Sequence, residues 1–109
     1  MAYNPTIVTP EPARSAIDAA SGAAVVEFGT PWCGHCRATQ PMLQTALNGH
    51  AQVAHLKIED GPGRALGRSF GVKLWPTLVF LKDGKEVARL VRPTRAAALD
   101  EALALIDPA

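Results

Sequence analysis

The sequence has little of several features that would mark a specialised class of protein. It contains only two cysteines in 109 residues, which excludes a small scaffold held together by many disulfides. Its 11 basic residues nearly balance 10 acidic ones, so charge gives no support to a nucleic acid or an anionic membrane as the partner. The longest uncharged apolar runs, residues 19–26 and 74–81, are far shorter than the roughly 20 residues of a membrane-spanning helix.

What is present is the composition of an ordinary globular domain. Hydrophobic residues make up 48% of the chain and charged residues 19%, and a domain usually has about 100–200 residues. We find no repeat, linker or low-complexity segment, so a single domain over residues 1–109 is expected. No apolar segment follows the first residue, and the first basic residue is Arg14. We therefore expect no secretory signal and a cytoplasmic location. We also expect the protein to be a monomer.

Hydrophobic periodicity and turn residues predict an alternating α/β chain. Strands are expected at 7–8, 23–29, 53–59, 77–81 and 87–91, and helices at 13–20, 33–47, 64–70 and 94–106. Thr9 and Pro10 are interpreted as the N-cap and first residue of the first helix, and Thr94 as the N-cap of the last. Pro41 predicts a kink. The order of elements predicts a mixed central β-sheet flanked by helices on both faces.

Both cysteines lie in one block, Trp32-Cys33-Gly34-His35-Cys36, shortly after the second predicted strand. A loop this small constrains an unfolded chain little, so a structural disulfide explains the pair poorly. Cys33, at the start of a helix, lies beside unpaired backbone N–H groups and the positive end of the helix dipole, which favour the thiolate form. Because the thiolate is the nucleophile of disulfide exchange, we expect Cys33 to attack a disulfide. Cys36, one helical turn further on, would resolve the mixed disulfide.

Residues 25–36, which read Val-Val-Glu-Phe-Gly-Thr-Pro-Trp-Cys-Gly-His-Cys, together with Pro41 resemble the active-site region of the thioredoxin family. Residues 70–77 resemble its cis-proline segment and residues 82–85 its hairpin turn. The resemblance implies a thioredoxin fold and a thiol–disulfide oxidoreductase that reduces protein disulfides without a bound cofactor or metal. It also implies two partners: disulfide-containing protein substrates and an NADPH-dependent, thioredoxin-reductase-like flavoenzyme that recycles the dithiol.

The resemblance assigns further positions. Pro76 matches the cis-proline of the family, which abuts substrate backbone and keeps metal ions off the thiols. Glu27 stands where a buried Asp is usual, so we expect burial to raise its pKa and to let it exchange a proton with Cys36. His55 stands where a Lys near that carboxyl is common. The alternatives are that Glu27 reaches solvent at the sheet edge and that His55 faces solvent.

The pair between the cysteines departs from the thioredoxin pattern. Gly34-His35 replaces the usual Gly-Pro and matches protein disulfide isomerase domains. A His here can donate to the Cys33 thiolate, or lie charged beside it, and so stabilise the reduced form and make the disulfide more oxidising. A disulfide oxidase or isomerase using the same site is therefore the alternative to a reductase.

Three residues are assigned to substrate docking beside Pro76. Trp32, next to the nucleophile, is expected to shield the site and contact partners. Trp75 is bulkier than the usual aliphatic residue and is equally suited to a packing role or a partner contact. Arg92-Pro93 replaces a Gly-containing loop near the expected substrate groove. Together these residues alter the docking surface relative to the family.

Two hypotheses come from other classes of protein. A non-catalytic module could use the same fold only to bind a partner. Cys33-x2-Cys36 followed by His50-x4-His55 also satisfies the spacing of a Cys2His2 zinc site. A zinc finger would place both histidines on one helix, whereas the helix is expected to end before His50, which we interpret as a loop residue. The sequence therefore favours the redox pair over a metal site.

Overall fold

The computed structural model describes residues 2–108 and has a four-stranded mixed sheet with helices on both faces. In chain order the elements are α1 (Arg14–Ala19), β1 (Ala23–Gly29), α2 (Gly34–Asn48), β2 (Ala54–Glu59), α3 (Ala65–Ser69), β3 (Thr77–Lys82), β4 (Lys85–Val91) and α4 (Ala96–Ile106). The predicted α/β class and sheet type are confirmed. From β1 onward, each element lies close to its expected range.

β1 lies inside the sheet, whose strand order is β2-β1-β3-β4. It pairs in parallel with β2 and antiparallel with β3, while β3 and β4 form an antiparallel hairpin. The hairpin turns at Asp83 and Gly84, which have positive φ angles of 51° and 79°, as expected of an Asp-Gly turn. Because β1 and β2 are parallel, their carboxyl ends lie at the same end of the sheet. The cysteine block follows β1 at that end.

Alternate residues of β1 point to opposite faces of the sheet and enter two separate cores. One core lies against α1 and α3 and consists of Ile17, Val26, Phe28, Ile58, Leu66, Phe70, Val79 and Leu81. The other lies against α2 and α4, and its fully buried members include Val25, Leu43, Leu47, Leu78, Phe80, Leu99, Leu103 and Ile106. Burial of each large apolar side chain contributes roughly 1.5–3 kcal/mol before conformational entropy is subtracted. The strand that leads into the cysteine block is therefore fixed from both sides.

The first predicted strand is shorter than expected. Residues 7–8 form a single parallel bridge between Ile7 and Lys57 rather than a strand. The Val8 N–H donates to the Lys57 carbonyl at 2.9 Å. The segment therefore lies along the outer edge of β2 without extending the four-stranded sheet.

α1 also begins later than expected. Its first residue is Arg14, and the preceding Ala13 provides no side-chain cap, so the prediction that Thr9 caps the helix and Pro10 opens it is wrong. The Thr9–Pro10 peptide bond is cis, and Pro12 follows closely. A proline disfavours helical geometry in the residue before it. The two prolines therefore keep the chain out of a helix until Pro12 has been passed.

The other helices differ from prediction at their ends only. α4 begins at Ala96 with Arg95 at the N-cap position, so the prediction that Thr94 caps it is wrong. The Arg95 carbonyl accepts the N–H of Ala98 at 3.2 Å, which closes the first turn there. Pro41 lies inside α2, which continues past it. None of the helices within residues 2–108 is long and apolar enough to cross a membrane.

Candidate active site

Cys33 is the N-cap residue of α2 and directly follows the turn after β1. Its backbone is extended (φ −78°, ψ 118°), and its Sγ accepts a hydrogen bond from the Cys36 N–H at 3.1 Å. Side-chain oxygens of Ser, Thr, Asp or Asn usually fill this capping role. A thiolate here gains both the N–H bond and the positive end of the dipole of α2. The start of the helix therefore stabilises negative charge on Cys33.

Cys36 lies one turn further along α2 and is only 3% exposed. Burial raises the pKa of its thiol to about 12, helped by the hydrogen bond with Cys33 and by the charges of Cys33 and Glu27, and opposed by the backbone of Thr30. Both cysteines are free thiols in this structure. Cys36 is therefore a sheltered, protonated thiol beside the sulfur at the helix start.

Gly29, the last residue of β1, makes room for Cys36. A Cβ at position 29 would lie 2.5 Å from Cys36 Sγ, which is far inside van der Waals contact. The missing side chain therefore lets the buried thiol pack against the end of the strand. The sequence showed Gly29 only as a strand boundary, so this role was missed.

The segment before β3 faces the cysteines. The Trp75–Pro76 peptide bond is cis, which confirms the prediction made for Pro76. Pro76 is buried, and the Trp75 carbonyl oxygen lies 3.9 Å from Cys33 Sγ. The nucleophilic sulfur is thus bordered by α2 on one side and by this proline segment on the other.

Two tryptophans flank the thiols. Trp32 is 69% exposed, and its ring meets that of Trp75 edge-on with centroids 5.6 Å apart. Trp75 is half-buried, and its Nε1–H donates to Asp60 Oδ2 at 2.8 Å. The packing role expected of Trp75 is therefore present, and its role as a partner contact stays a prediction. Trp32 offers an open apolar face next to Cys33.

Glu27 lies on β1 beneath α2 and is 1% exposed, so the alternative in which it reaches solvent is wrong. Its carboxylate accepts hydrogen bonds from Gln40 Nε2 at 2.7 Å, His55 Nε2 at 2.8 Å and Lys57 Nζ at 3.1 Å. Burial raises the pKa of Glu27, but the hydrogen bond from His55, the charge of Lys57 and the hydrogen bond from Gln40 outweigh it, so the pKa lies below its usual value. The expectation of a raised pKa is wrong because donors from α2 and β2 converge on the carboxylate.

His55 is buried, so the alternative in which it faces solvent is also wrong. Its Nδ1 accepts the backbone N–H of Asn4 at 2.8 Å, which assigns the ring proton to Nε2, the atom that donates to Glu27. The ring of Tyr3 lies against the imidazole with centroids 5.3 Å apart, and its hydroxyl donates to Gln40 Oε1 at 2.7 Å. The N-terminal segment therefore closes the polar network and fixes the tautomer of His55.

A small cavity borders both the buried carboxylate and the buried thiol. Its volume is about 10 Å³, and it is lined by Ile7, Glu27, Gly29, Thr30, Cys36, Lys57 and Ile58. This is roughly the space that a single water molecule needs. The Thr30 hydroxyl, on the same wall, has no hydrogen-bond partner within the described chain. Glu27 and Cys36 therefore share a confined, partly polar space.

Three of the predicted residues lie on the outer side of the site. His35 is exposed, and within residues 2–108 no hydrogen bond joins its ring to Cys33. Arg92 has a φ of 49°, and its Nε donates to the Trp75 carbonyl at 2.8 Å. His35 and Arg92 line one surface groove. Gly34 opens α2 with free space where a Cβ would stand.

The remaining histidine does not join the cysteines. His50 follows α2, as expected of a loop residue, and its Nδ1 pairs with Asp107 Oδ2 at 2.5 Å. His55 is held by Glu27 instead. In the part of the chain that the structure describes, no three His, Cys, Asp or Glu side chains are grouped as metal ligands. The Cys2His2 spacing thus does not correspond to a gathered set of ligands.

The network contains four residues that sequence reasoning missed: Tyr3, Asn4, Gln40 and Lys57. Lys57 carried a signal, because residues two apart in a strand share a face and Lys57 lies two after His55. Gln40 carried another, because it lies four residues after the second cysteine on the same helix face. Tyr3 and Asn4 precede every regular element, so no periodicity could place them.

Comparison with known proteins identifies the family. The thioredoxin family model matches residues 4–104. Among solved structures, the reduced form of thioredoxin 2 from Pseudomonas aeruginosa PAO1 superimposes with a TM-score of 0.79 at 58% identity, over 88% of this chain and 89% of that one.

Two curated relatives match over shorter stretches. Thioredoxin H-type 1 from Nicotiana tabacum is 39% identical over 67 residues, which are 62% of this chain and 53% of the tobacco protein. Protein disulfide-isomerase A2 from Homo sapiens is 44% identical over 66 residues, 57% of this chain and 13% of that protein. The matched region thus spans about half the tobacco relative and a small part of the human one. With a family model that covers residues 4–104, the chain belongs to the thioredoxin family of thiol–disulfide oxidoreductases.

Proposed function

We propose that the protein reduces disulfide bonds in other proteins, with Cys33 as the attacking sulfur and Cys36 as the resolving one. The observation that carries this proposal is the position of Cys33 as the N-cap of α2, where its Sγ accepts the Cys36 N–H. Both thiols are buried, with Cys33 7% and Cys36 3% exposed, but their neighbours differ. Cys33 Sγ lies at the start of α2 near the Trp75 carbonyl, whereas Cys36 packs against Gly29 and borders the cavity of Glu27.

In the first step, the Cys33 thiolate attacks one sulfur of a substrate disulfide. A bond forms between Cys33 Sγ and that sulfur, the substrate S–S bond breaks, and the other substrate sulfur leaves as a thiolate that takes a proton from water. The exposed ring of Trp32 and the buried cis-proline segment at Pro76 provide an apolar border for the substrate chain.

In the second step, Cys36 attacks Cys33 Sγ, releases the second substrate thiolate and leaves a Cys33–Cys36 disulfide. The protein has then given two electrons to the substrate. The hydrogen bond and the charge of Cys33 are among the causes that raise the pKa of Cys36. Once Cys33 is in a mixed disulfide it carries no charge, so Cys36 loses its proton more easily at the point where it must act.

We assign that proton to Glu27, a buried carboxylate that lines the same cavity as Cys36. The carboxylate is ionised at neutral pH because its pKa lies below the usual value, and it borders the same small cavity as Cys36. One water molecule in a space of this size can relay a proton between the two groups. In this proposal His55 and Lys57 are positioning residues that hold the carboxylate.

A reductase cycle needs a second partner and a reducing compartment. We assign the return of two electrons to an NADPH-dependent, thioredoxin-reductase-like flavoenzyme, and we place the cycle in the cytoplasm, where protein thiols are kept reduced. Each cycle uses a single Cys33–Cys36 pair, so a monomer suffices.

Reduction of insulin disulfides by dithiothreitol tests the proposed roles. Wild type should accelerate the reaction and Cys33→Ser should not, because the attacking sulfur is gone. Cys36→Ser should accumulate a mixed disulfide with its substrate, detectable by mass spectrometry and reversed by excess dithiothreitol. Equal insulin reduction by wild type and Cys33→Ser would overturn the mechanism and leave a non-catalytic binding module.

The competing function is a disulfide oxidase or isomerase with the same site, which Gly34-His35 favours. The reduction potential of the Cys33–Cys36 pair separates the two. A reductase requires a potential towards about −270 mV, the reference value for thioredoxin itself, whereas about −180 mV is typical of protein disulfide isomerase. A value near the second figure would replace the reductase with the oxidase or isomerase.

A further inference from the structure

Arg92 is held over the active site by two hydrogen bonds to the proline segment. Its backbone N–H donates to the Pro76 carbonyl at 2.9 Å, and its Nε donates to the Trp75 carbonyl at 2.8 Å. Arg92 adopts a φ of 49°, in the left-handed region where side chains other than glycine are uncommon. A non-glycine residue is uncommon at this φ, and here it is an arginine close to the attacking Cys33.

The outer edge of this guanidinium is available for a ligand. Within residues 2–108 no ion pair involves Arg92, and only its Nε has a hydrogen-bond acceptor. Arg14 and Arg89, by contrast, are occupied by Asp18 and Glu86. The fixed Nε leaves the two terminal nitrogens of Arg92 free to bind a carboxylate with both of its oxygens.

The guanidinium is also close to the attacking sulfur. The Trp75 carbonyl oxygen lies 2.8 Å from Arg92 Nε and 3.9 Å from Cys33 Sγ. Arg92 Nε and Cys33 Sγ are therefore no farther apart than the sum of these two distances. That separation is about the span of two residues of extended chain at roughly 3.3 Å each. A residue next to the substrate cysteine, or one beyond it, can reach Arg92.

The groove beside Arg92 has the size and the lining for a charged side chain. Its volume is about 280 Å³, and it is lined by His35, Ala38, Thr39, Met42, Arg92, Pro93 and Thr94. The lining has an arginine, an imidazole and two threonines but no carboxylate. An acidic side chain of a docked substrate that enters this groove therefore meets the Arg92 guanidinium and no like charge from the lining residues.

We propose that Arg92, with the groove beside it, selects protein disulfides whose reacting cysteine has an aspartate or glutamate one or two residues away. The substrate carboxylate binds the terminal nitrogens of Arg92 while Cys33 attacks the neighbouring sulfur. This inference rests on the proposed reductase function and names the class of substrate that the site prefers. Arg92 is a specificity-determining residue, distinct from the residues that carry out the exchange.

Three disulfide-linked peptides that differ only in the residues flanking the cysteine, Glu, Gln or Lys, test the inference. For wild type we expect kcat/KM to be about three- to tenfold higher for the Glu peptide than for the Gln peptide, as for a partly exposed, charge-assisted pair. The Lys peptide should be the slowest. The preference should shrink as salt is raised, because screening weakens exposed pairs.

Variants at Arg92 assign the preference to this residue. In Arg92→Gln the ratio of Glu to Gln peptide should fall to about one, and Arg92→Lys should recover part of it because the charge returns without the two-pronged geometry. Arg92→Gly suits the positive φ and provides a second variant that removes the charge. Arg68→Gln, an exposed arginine on α3, is the matched control and should keep both the wild-type ratio and the wild-type activity.

The outcomes separate this inference from the function on which it rests. If wild type reduces the three peptides at equal rates, or if Arg92→Gln and Arg92→Gly keep the wild-type ratio, the specificity role is wrong and the reductase function stands. If wild type reduces none of the peptides, the neutral one included, the reductase function itself fails.

Discussion

The two faces of β1 bury different kinds of side chain. On one face Val26 and Phe28 enter a core made wholly of apolar residues. On the other face Val25 begins in an apolar core, but two residues later Glu27 is buried with the ring of His55 and the ammonium of Lys57. One strand of seven residues thus has one face that only packs into a core. Its other face packs into a core at Val25 and carries a charged group of the candidate active site at Glu27.

This difference separates the residues of β1 that stabilise the fold from the one, Glu27, that we assign to the reaction. Replacing a buried ion pair by apolar side chains of similar volume is often neutral or stabilising, so folding alone gives no reason to bury Glu27. The carboxylate lies at the end of the strand that leads to Cys36, and it borders the same cavity. The buried residues of the opposite face are all apolar. Substitutions on the two faces should therefore affect different properties.

The largest expected effect is on the apolar face. Phe28 is fully buried and its ring lies 5.6 Å from that of Phe70, so Phe28→Ala should lower the free energy of unfolding by about 3–5 kcal/mol. Urea denaturation measures this loss. Val87→Ala, at a 45% exposed position, is the control and should change stability by less than about 0.5 kcal/mol. A loss below about 1 kcal/mol for Phe28→Ala would contradict the structural role of this face.

The next effect is at the end of the functional face. In Gly29→Ala the new Cβ would meet Cys36 Sγ at 2.5 Å, and such overpacking typically costs about 1–3 kcal/mol. The shifted thiol should also slow resolution, so the mixed disulfide with a substrate should last longer than in wild type. Gly49→Ala is the matched control, since its Cβ would meet only the Ala46 carbonyl at an ordinary 3.6 Å. Wild-type resolution in Gly29→Ala would show that the position of Cys36 does not depend on the glycine.

The sequence predicts the fold well where an element buries a regular apolar face, and poorly where it does not. Periodicity found the sheet and the helices from residue 23 onward because each apolar pattern matched the face that the element buries. It failed around Thr9 and Pro10, where two closely spaced prolines rather than a hydrophobic pattern decide the backbone. Secondary structure is therefore predicted best where many residues of one element follow the same hydrophobic period.

The site was predictable only in its local parts. The cysteine pair and Pro76 lie in short motifs, whereas the pKa of Glu27 depends on groups that are distant in sequence and meet only in the fold. His55 lies 28 residues from Glu27 along the chain, and Asn4 lies 51 residues from His55. Burial was foreseen, but the sign of the pKa shift depends on these partners, so burial alone gave the wrong direction.

The smallest expected effect is a change in pH dependence. The pKa of Glu27 lies below its ordinary value of about 4.5 because His55, Lys57 and Gln40 together outweigh burial. A group with a lowered pKa contributes stability that is fully present above the ordinary value and is lost as pH falls through the folded-state value. Glu27→Gln should therefore be about 1–2 kcal/mol less stable than wild type at about pH 7, and this difference should shrink as pH falls below about 4.5.

Urea unfolding of both proteins between about pH 7 and pH 3 measures that difference. The pKa of Glu86 is also lowered, first by its hydrogen bond with Arg89, so part of the acid sensitivity belongs to the hairpin. Glu86→Gln is the control that removes this part alone, and it should leave the resolution of mixed disulfides unchanged, whereas Glu27→Gln should slow it. A constant gap between wild type and Glu27→Gln across the whole range would mean that Glu27 is not held as a carboxylate. The reaction would then depend on Cys33 and Cys36 without help from the polar network around Glu27.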